Sequence, residues 1–204
     1  RETKAPFGMV LNTEVRTAEL VYAGQDIAVT ETSAGFYNER QRVVINLTKT
    51  LETDEAFGVG NNGEIFDVAF GLYAESELTA ADGTVIPADG LIEIITLDEN
   101  GNGEVKTDLP IGNYYVKEVA ANSAYLVNDT KYPVNFEYAG QDAASVHIAA
   151  NDGEAIENKL IYGSVNGKKT DEDGKALGRA VIGIFKTGTE EFTAENAIQT
   201  TTSK

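Results

Sequence analysis

An all-β chain of tandem Greek-key sandwich domains is what this sequence of 204 residues predicts. Three observations carry that expectation. The first is a period of two: in Val43-Val44-Ile45-Asn46-Leu47-Thr48-Lys49, residues Val43, Ile45, Leu47 and Lys49 share one face, as in a half-buried strand. The second is composition, with abundant β-branched and aromatic residues, 20 glycines and few long helical patterns. The third is self-similarity over the length of a domain. Tyr22-Ala23-Gly24-Gln25-Asp26 recurs 116 residues later as Tyr138-Ala139-Gly140-Gln141-Asp142.

The same offset carries Glu2 to Glu118 and Asn12 to Asn128. It then becomes 120, taking Asn38 to Asn158 and Lys49 to Lys169. Phe70-Gly71-Leu72-Tyr73 is echoed by Ile182-Gly183-Ile184-Phe185. A unit of this length is a domain rather than a solenoid turn. Residues 42–162 therefore read as one complete repeat. Residues 1–41 read as the C-terminal part of a preceding repeat, and residues 163–204 as the N-terminal part of a following one. The joins, Asn38–Gln41 and Leu160–Gly163, hold no flexible linker, so neighbouring domains are expected to abut.

Taken in order, residues 1–41 predict a hairpin: a strand over Val15–Tyr22, a Gly24-Gln25-Asp26 turn and a return over Ile27–Thr30. The complete repeat opens with the Lys49 strand. A glycine-containing loop at 58–63 leads to a strand with Val68, Phe70 and Leu72 on one face. Asp82-Gly83 marks a turn, and Leu91–Thr96 a short apolar strand. Asp98-Glu99-Asn100-Gly101-Asn102-Gly103 matches the start of an EF-hand loop, but Leu109 stands where the bidentate glutamate belongs, so a glycine-rich hairpin turn is expected. In the next strand Tyr114, Val116 and Glu118 share a face. Val134, Phe136 and Tyr138 follow, then Val146 and Ile148, with His147 on the outer face, and finally Ile156, Asn158 and Leu160. Residues 163–204 restart with Val165, Gly167 and Lys169, a turn at Asp171–Gly174, and a strand over Val181–Phe185.

Charge and composition exclude several classes. A formal charge of -17 and a pI near 4.3 argue against nucleic acid and anionic membrane surfaces as partners. No apolar run predicts membrane insertion. With no cysteine and a single histidine, a cysteine nucleophile, a thiolate site and a histidine zinc site are not expected, and nothing calls for a cofactor. The chain starts at Arg1 with no visible signal peptide and reads as a fragment of something longer.

Three polar residues fall on inward positions: Lys49, Glu118 and Asn158. Each alone has an ordinary explanation, as a snorkelling lysine, a sheet-edge glutamate or a turn-starting asparagine. Their recurrence as Lys169, Glu2 and Asn38 in the flanking copies favours a shared role. Burial favours the neutral forms of amines and carboxylic acids alike. A neutral lysine amine can attack an asparagine amide carbon, and a carboxyl group between them can carry the proton that lets ammonia leave. The product is a Lys–Asn isopeptide bond, formed once.

With these residues on the page, the chain resembles the Cna B-type (SpaA-like) repeats of Gram-positive surface adhesins and pilins, which have a prealbumin-like fold. The likeness lies in Ile45–Lys49, Phe70–Tyr73, Leu109–Glu118 and Glu157-Asn158, and in Glu2-Thr3-Lys4-Ala5-Pro6-Phe7-Gly8, which is similar to the family's E-box. The resemblance implies a bond from Lys49 to Asn158, assisted by the E-box glutamate Glu118. The E-box after Glu118 lacks the proline that the first copy keeps as Pro6, and in the third copy Gly167 replaces Leu47 and Lys168 stands beside Lys169.

The function this implies is a structural stalk or spacer in a cell-wall-anchored adhesin or pilus-like protein, extracellular, contacting its neighbouring repeats, and not a turning-over enzyme. A covalent staple would also account for the missing cysteines. Two competing readings remain. One is an adhesin module that grips host matrix protein or glycan through loops 58–63 and 74–90. The other is a glycosidase using paired carboxylates, which the placement of acids in turns and on outward faces disfavours.

Overall fold

A computed structural model describes residues 1–27, 30–80 and 82–204. It is almost wholly β. The strands are β1 (Arg42–Leu51), β2 (Ala69–Ala74), β3 (Leu78–Thr79), β4 (Val85–Ile86), β5 (Leu91–Thr96), β6 (Asn102–Glu104), β7 (Gly112–Ala120), β8 (Tyr132–Phe136), β9 (Ser145–Ala149), β10 (Ile156–Asn158), β11 (Val181–Ile184) and β12 (Gln199–Thr202). Short 3-10 turns occupy Glu64–Asp67 and Ala150–Gly153. The chain divides into two compact units, one of residues 1–53 with 59–160 and one of 54–58 with 161–204.

The larger unit contains a two-layer sandwich. In one sheet β1 is central: β6 pairs with it antiparallel, while β9 and β10 pair with it in parallel, β9 along its first half and β10 at its end. The other sheet runs β5-β2-β7-β8, all antiparallel. The inward faces interdigitate: Ile45, Leu47 and Ile156 from the first sheet meet Phe70, Leu72, Ile95, Tyr114, Val116, Val134 and Phe136 from the second. The alternation that the sequence shows is the alternation that packs, and β1 buries Ile45, Leu47 and Lys49 while Asn46 and Thr50 face outward. His147 is exposed on β9, as its neighbours require.

Several sequence expectations change. Asp98–Gly103 is a tight turn but not a hairpin within one sheet, because β5 belongs to one sheet and β6 to the other. The Asp98 carboxylate is committed to that turn, accepting from the backbone N–H groups of Asn100 at 2.9 Å and Asn102 at 2.8 Å. No strand forms over Val15–Tyr22, and Leu20 is 68% exposed. Its counterpart in the complete repeat, Phe136, is fully buried between the two sheets. An isolated hairpin with no apolar layer to pack against is marginal, which accounts for the difference. The return over Ile27–Thr30 falls at Ala28 and Val29 outside the described residues. Val165–Lys169 is likewise exposed and without strand, whereas the Asp171–Gly174 turn and the strand at Val181–Ile184 form as expected.

Residues 1–41 nonetheless copy the local geometry of the complete repeat. The isolated bridge Met9↔Arg40 recurs as Tyr125↔Leu160, and the Val10 N–H to Glu39 carbonyl bond recurs from Leu126 to Lys159. The segment is docked on the 138–144 loop. Gln141 Oε1 accepts from the Ala5 N–H at 2.9 Å, the Tyr138 hydroxyl donates to the Met9 carbonyl at 3.0 Å, and Phe7 meets the Tyr138 ring edge-on at 4.8 Å. Gln41, buried, donates to the carbonyls of Gly140 and Ala143 and accepts from the Ala139 N–H.

One glycine fixes the end of β1. Gly101 has φ +78°, its carbonyl accepts from the Lys49 N–H at 2.8 Å, and a Cβ there would collide with the Lys49 carbonyl oxygen. Gly101→Ala is therefore expected to lower unfolding stability by about 2 kcal/mol or more, from strained backbone plus a lost close approach. Chemical denaturation checks this: the midpoint should fall with the slope unchanged.

Candidate functional site

Lys49, Glu118 and Asn158 meet inside the sandwich, on three different strands. β1 and β10 run side by side in parallel, with Lys49 opposite Ile156 and Leu51 opposite Asn158. Lys49 and Asn158 thus lie on adjacent strands with both side chains on the core side. β7 crosses in the facing sheet and presents Glu118 from the same stripe as Tyr114 and Val116. All three residues are 1% exposed.

The contacts form a bridge. Asn158 Nδ2 donates to Glu118 Oε1 at 2.8 Å and to Oε2 at 2.9 Å. Glu118 Oε1 is also 3.8 Å from the Lys49 amine. The amine itself donates to the carbonyls of Ile156 at 2.9 Å and Thr50 at 3.1 Å, which holds it at the β1–β10 seam. Among the described residues, Asn158 Oδ1 is the one buried side-chain polar atom without a hydrogen-bond partner. Such an orphan costs about 1–3 kcal/mol and marks a site worth explaining.

Burial dominates the electrostatics of the lysine. Desolvation lowers its pKa from an ordinary 10.5 to about 8, and the facing Glu118 charge offsets only part of that. At pH 7 on the order of a tenth of such amines are unprotonated and nucleophilic, against a negligible fraction for a free lysine.

The sequence missed one participant. The Asn128 N–H donates to Glu118 Oε2 at 2.6 Å and orients the carboxylate, while the Asn128 side chain donates to the Tyr132 hydroxyl at 2.9 Å. The repeat held the signal, since Asn12 and Asn128 share the offset that relates Glu2 and Glu118. In the first copy the Asn12 N–H donates to Glu2 Oε2 at 2.7 Å, and Asn38 Nδ2 donates to the same oxygen at 2.6 Å. The structure thus brings Glu2 and Asn38 together as it does Glu118 and Asn158. Lys169 is exposed.

Other features offer little chemistry. A depression of about 520 Å³ beside the end of β1 is lined by Gly60, Asn61, Phe66 and Asn100 among others, and is open to solvent. Among the described residues there is no group of three or more His, Cys, Asp or Glu side chains able to hold a metal ion, and no helix long and apolar enough to cross a membrane.

Comparison with known proteins agrees with this architecture. Residues 58–151 match the family model described as SpaA, prealbumin-like fold domain. No curated protein sequence matches the chain significantly. Among solved structures, the Bacillus anthracis TIE protein is similar over 95% of this chain and 31% of its own, with a TM-score of 0.51 at 17% identity. GBS52, the minor pilin of the Gram-positive pathogen Streptococcus agalactiae, is similar over 65% of this chain and 51% of its own, with a TM-score of 0.38 at 18% identity. A streptococcal ancillary pilin is similar over 97% of this chain and 60% of its own, with a TM-score of 0.35 at 18% identity. The chain spans about a third of the TIE protein and about half of GBS52. At such identities the likeness to TIE speaks for the fold alone, and the match over residues 58–151 agrees that this part of the chain has a prealbumin-like fold.

Proposed function

We propose that the chain is a structural stalk module of a Gram-positive surface protein of pilin or adhesin type, and that its complete repeat locks itself with an isopeptide bond between Lys49 and Asn158. The observation that carries this reading is the position of Glu118. One carboxylate oxygen stands within hydrogen-bond distance of the amide nitrogen that must leave and 3.8 Å from the amine that must attack. The match to the SpaA model supports the setting, an extracellular cell-wall surface with neighbouring repeats as the first partners.

The reaction balances without a cofactor. The unprotonated Lys49 amine attacks Asn158 Cγ and forms a C–N bond. The attacking nitrogen gives a proton to Glu118, Glu118 gives one to Asn158 Nδ2, the Cγ–Nδ2 bond breaks and ammonia departs. Glu118 ends as it began. Rigid placement supplies the effective concentration, and the apolar walls keep out the water that would hydrolyse the amide instead. Because the amine and the amide are consumed, each molecule reacts once, and the site is not that of an enzyme.

The bond's location gives it a mechanical use. It joins the first strand of the repeat to the last, so tension applied along the chain passes through covalent bonds rather than peeling β1 from β10. Closing a loop of roughly 100 residues contributes about 4–5 kcal/mol by the chain-entropy model used for disulfides. Intact-mass measurement tests the proposal. The folded chain should weigh less than its sequence by one ammonia, and Lys49→Ala and Glu118→Gln should each retain the full mass. Lys49→Ala should also lose about 4 kcal/mol of stability relative to the reacted form.

The unreacted lysine should leave a signature in Asn158→Ala, which cannot close the bond. The folded-state pKa of Lys49 lies below the unfolded one, so between pH 8 and pH 10 the unfolded chain binds more protons and stability should rise with pH. Below pH 8 both states are protonated and this contribution is flat. Tyr114, whose pKa burial raises to about 12, opposes the trend only above pH 10. Urea titrations across this range should show the rise in Asn158→Ala and its absence in Asn158→Ala/Lys49→Met.

A further inference from the structure

We infer that Asn128 is a positioning residue for the cross-link: its backbone N–H holds one oxygen of Glu118, Oε2, so that the other, Oε1, carries the proton from Lys49 to Asn158. The inference rests on the reading of Lys49, Glu118 and Asn158 as a cross-linking set.

The two oxygens of Glu118 have different surroundings. Oε1 lies 3.8 Å from the Lys49 amine and accepts from Asn158 Nδ2 at 2.8 Å. It faces both the nitrogen that attacks and the nitrogen that leaves. Oε2 accepts from Asn158 Nδ2 at 2.9 Å and from the Asn128 N–H at 2.6 Å. A backbone N–H on an ionised oxygen makes a charge-assisted bond, stronger than one to a neutral acceptor. A proton placed on Oε2 would weaken that bond, whereas a proton on Oε1 leaves it in place. As the C–N bond to Asn158 Cγ forms, the Lys49 nitrogen gives its proton to Oε1. Oε1 gives a proton to Nδ2, the Cγ–Nδ2 bond breaks and ammonia leaves. Oε2 stays on Asn128 throughout.

Asn128 is a fixed point because its neighbourhood is tied down. Its Oδ1 accepts from the Thr130 N–H at 3.1 Å and closes an Asx turn. Its Nδ2 donates to the Tyr132 hydroxyl at 2.9 Å. Tyr132 opens β8 and pairs with Val116, which β7 carries on the same face as Glu118. The Leu126 N–H donates to the carbonyl of Lys159, the residue after Asn158. The segment is thus registered both to the strand that bears the acid and to the strand that bears the amide. Asparagine suits the position, since its side chain offers an acceptor and a donor together.

The arrangement recurs in residues 1–41 with a different anchor. The Asn12 N–H donates to Glu2 Oε2 at 2.7 Å, and the Glu14 N–H closes the Asx turn on Asn12 Oδ1 at 2.8 Å. Arg16 stands where the complete repeat has Tyr132, and Asn12 Nδ2 donates instead to the Tyr37 carbonyl at 2.7 Å, beside Asn38. The N–H on the carboxylate is the common element of the two copies.

The single turnover itself tests this. The full chain is assembled by chemical ligation in guanidinium, so that it has never folded, and is refolded by dilution over a range of pH. Intact mass follows ammonia loss and circular dichroism follows folding. The rate in the folded parent chain should rise with pH through the Lys49 pKa of about 8 to a plateau. Replacing the Asn128 N–H by an ester oxygen should lower that plateau by about a hundredfold, as loosening a reacting group does. The midpoint should stay near 8, because the burial of Lys49 and the charges acting on it, Glu118 on β7 and Glu157 on β10, are unchanged. Asn128→Ala, which frees the segment from Thr130 and Tyr132, should lower the plateau in the same way. A purely structural role would instead open the core to water and move the midpoint toward 10.5, which would overturn the inference. So would a plateau equal to the parent's in the ester chain or, should that chain not fold, in Asn128→Ala. Either result leaves the cross-link reading standing. A parent chain that folds and keeps its full mass at every pH overturns that reading and the inference with it.

Discussion

A lysine amine sealed in a dry sandwich is the constraint on which the rest of this structure depends. Lys49 lies on the central strand of its sheet, with β6 on one edge and β9 and β10 on the other, and the facing sheet closes over it. An ammonium there would cost several kcal/mol unless paired. The fold answers in two ways at once. Burial pushes the amine toward its neutral form, and β7 delivers Glu118 opposite it. Chemically, a neutral amine can act as a nucleophile and a neighbouring carboxyl group can carry a proton. Asn158 then stands on the strand beside the lysine, its amide nitrogen on Glu118 and its oxygen unsatisfied.

Much of this could be read from the chain because sandwich strands obey a strict period. Placing Ile45 and Leu47 inward places Lys49 inward, and the same reasoning on Tyr114 and Val116 commits Glu118. What alternation cannot give is which strands are neighbours. The parallel pairing of β1 with β10, the contact that brings lysine to asparagine, spans most of the repeat in sequence and has no local signal. The Asp98–Gly103 segment shows the same limit. Its turn residues were legible, but the transfer of the chain from one sheet to the other was not, since that depends on the partners chosen by β5 and β6. Asn128 acts through its backbone N–H, so its residue type did not reveal its role, although its shared offset with Asn12 marked the position.

The partial copies separate local from cooperative structure. Bridges, Asx turns and the Glu–Asn contact form in residues 1–41 much as in the complete repeat, because each needs only a few neighbouring residues. Strands over Val15–Tyr22 do not form, because a strand with one apolar face needs a second layer to cover it. Residues 5–11 dock on the 138–144 loop through backbone and side-chain hydrogen bonds. Gln41 satisfies the loop backbone, while Gln141 of the loop accepts from the Ala5 N–H and the Tyr138 hydroxyl donates to the Met9 carbonyl.

The central claim is that the Lys49 amine and the Asn158 amide have become one bond, and peptide mapping of the folded wild-type chain tests it most directly. Tryptic digestion should yield a single branched species that joins the peptide containing Lys49 to the one containing Asn158, uncleaved after Lys49 and lacking one ammonia. Two separate linear peptides, one cleaved after Lys49 and the other with Asn158 intact, would contradict it.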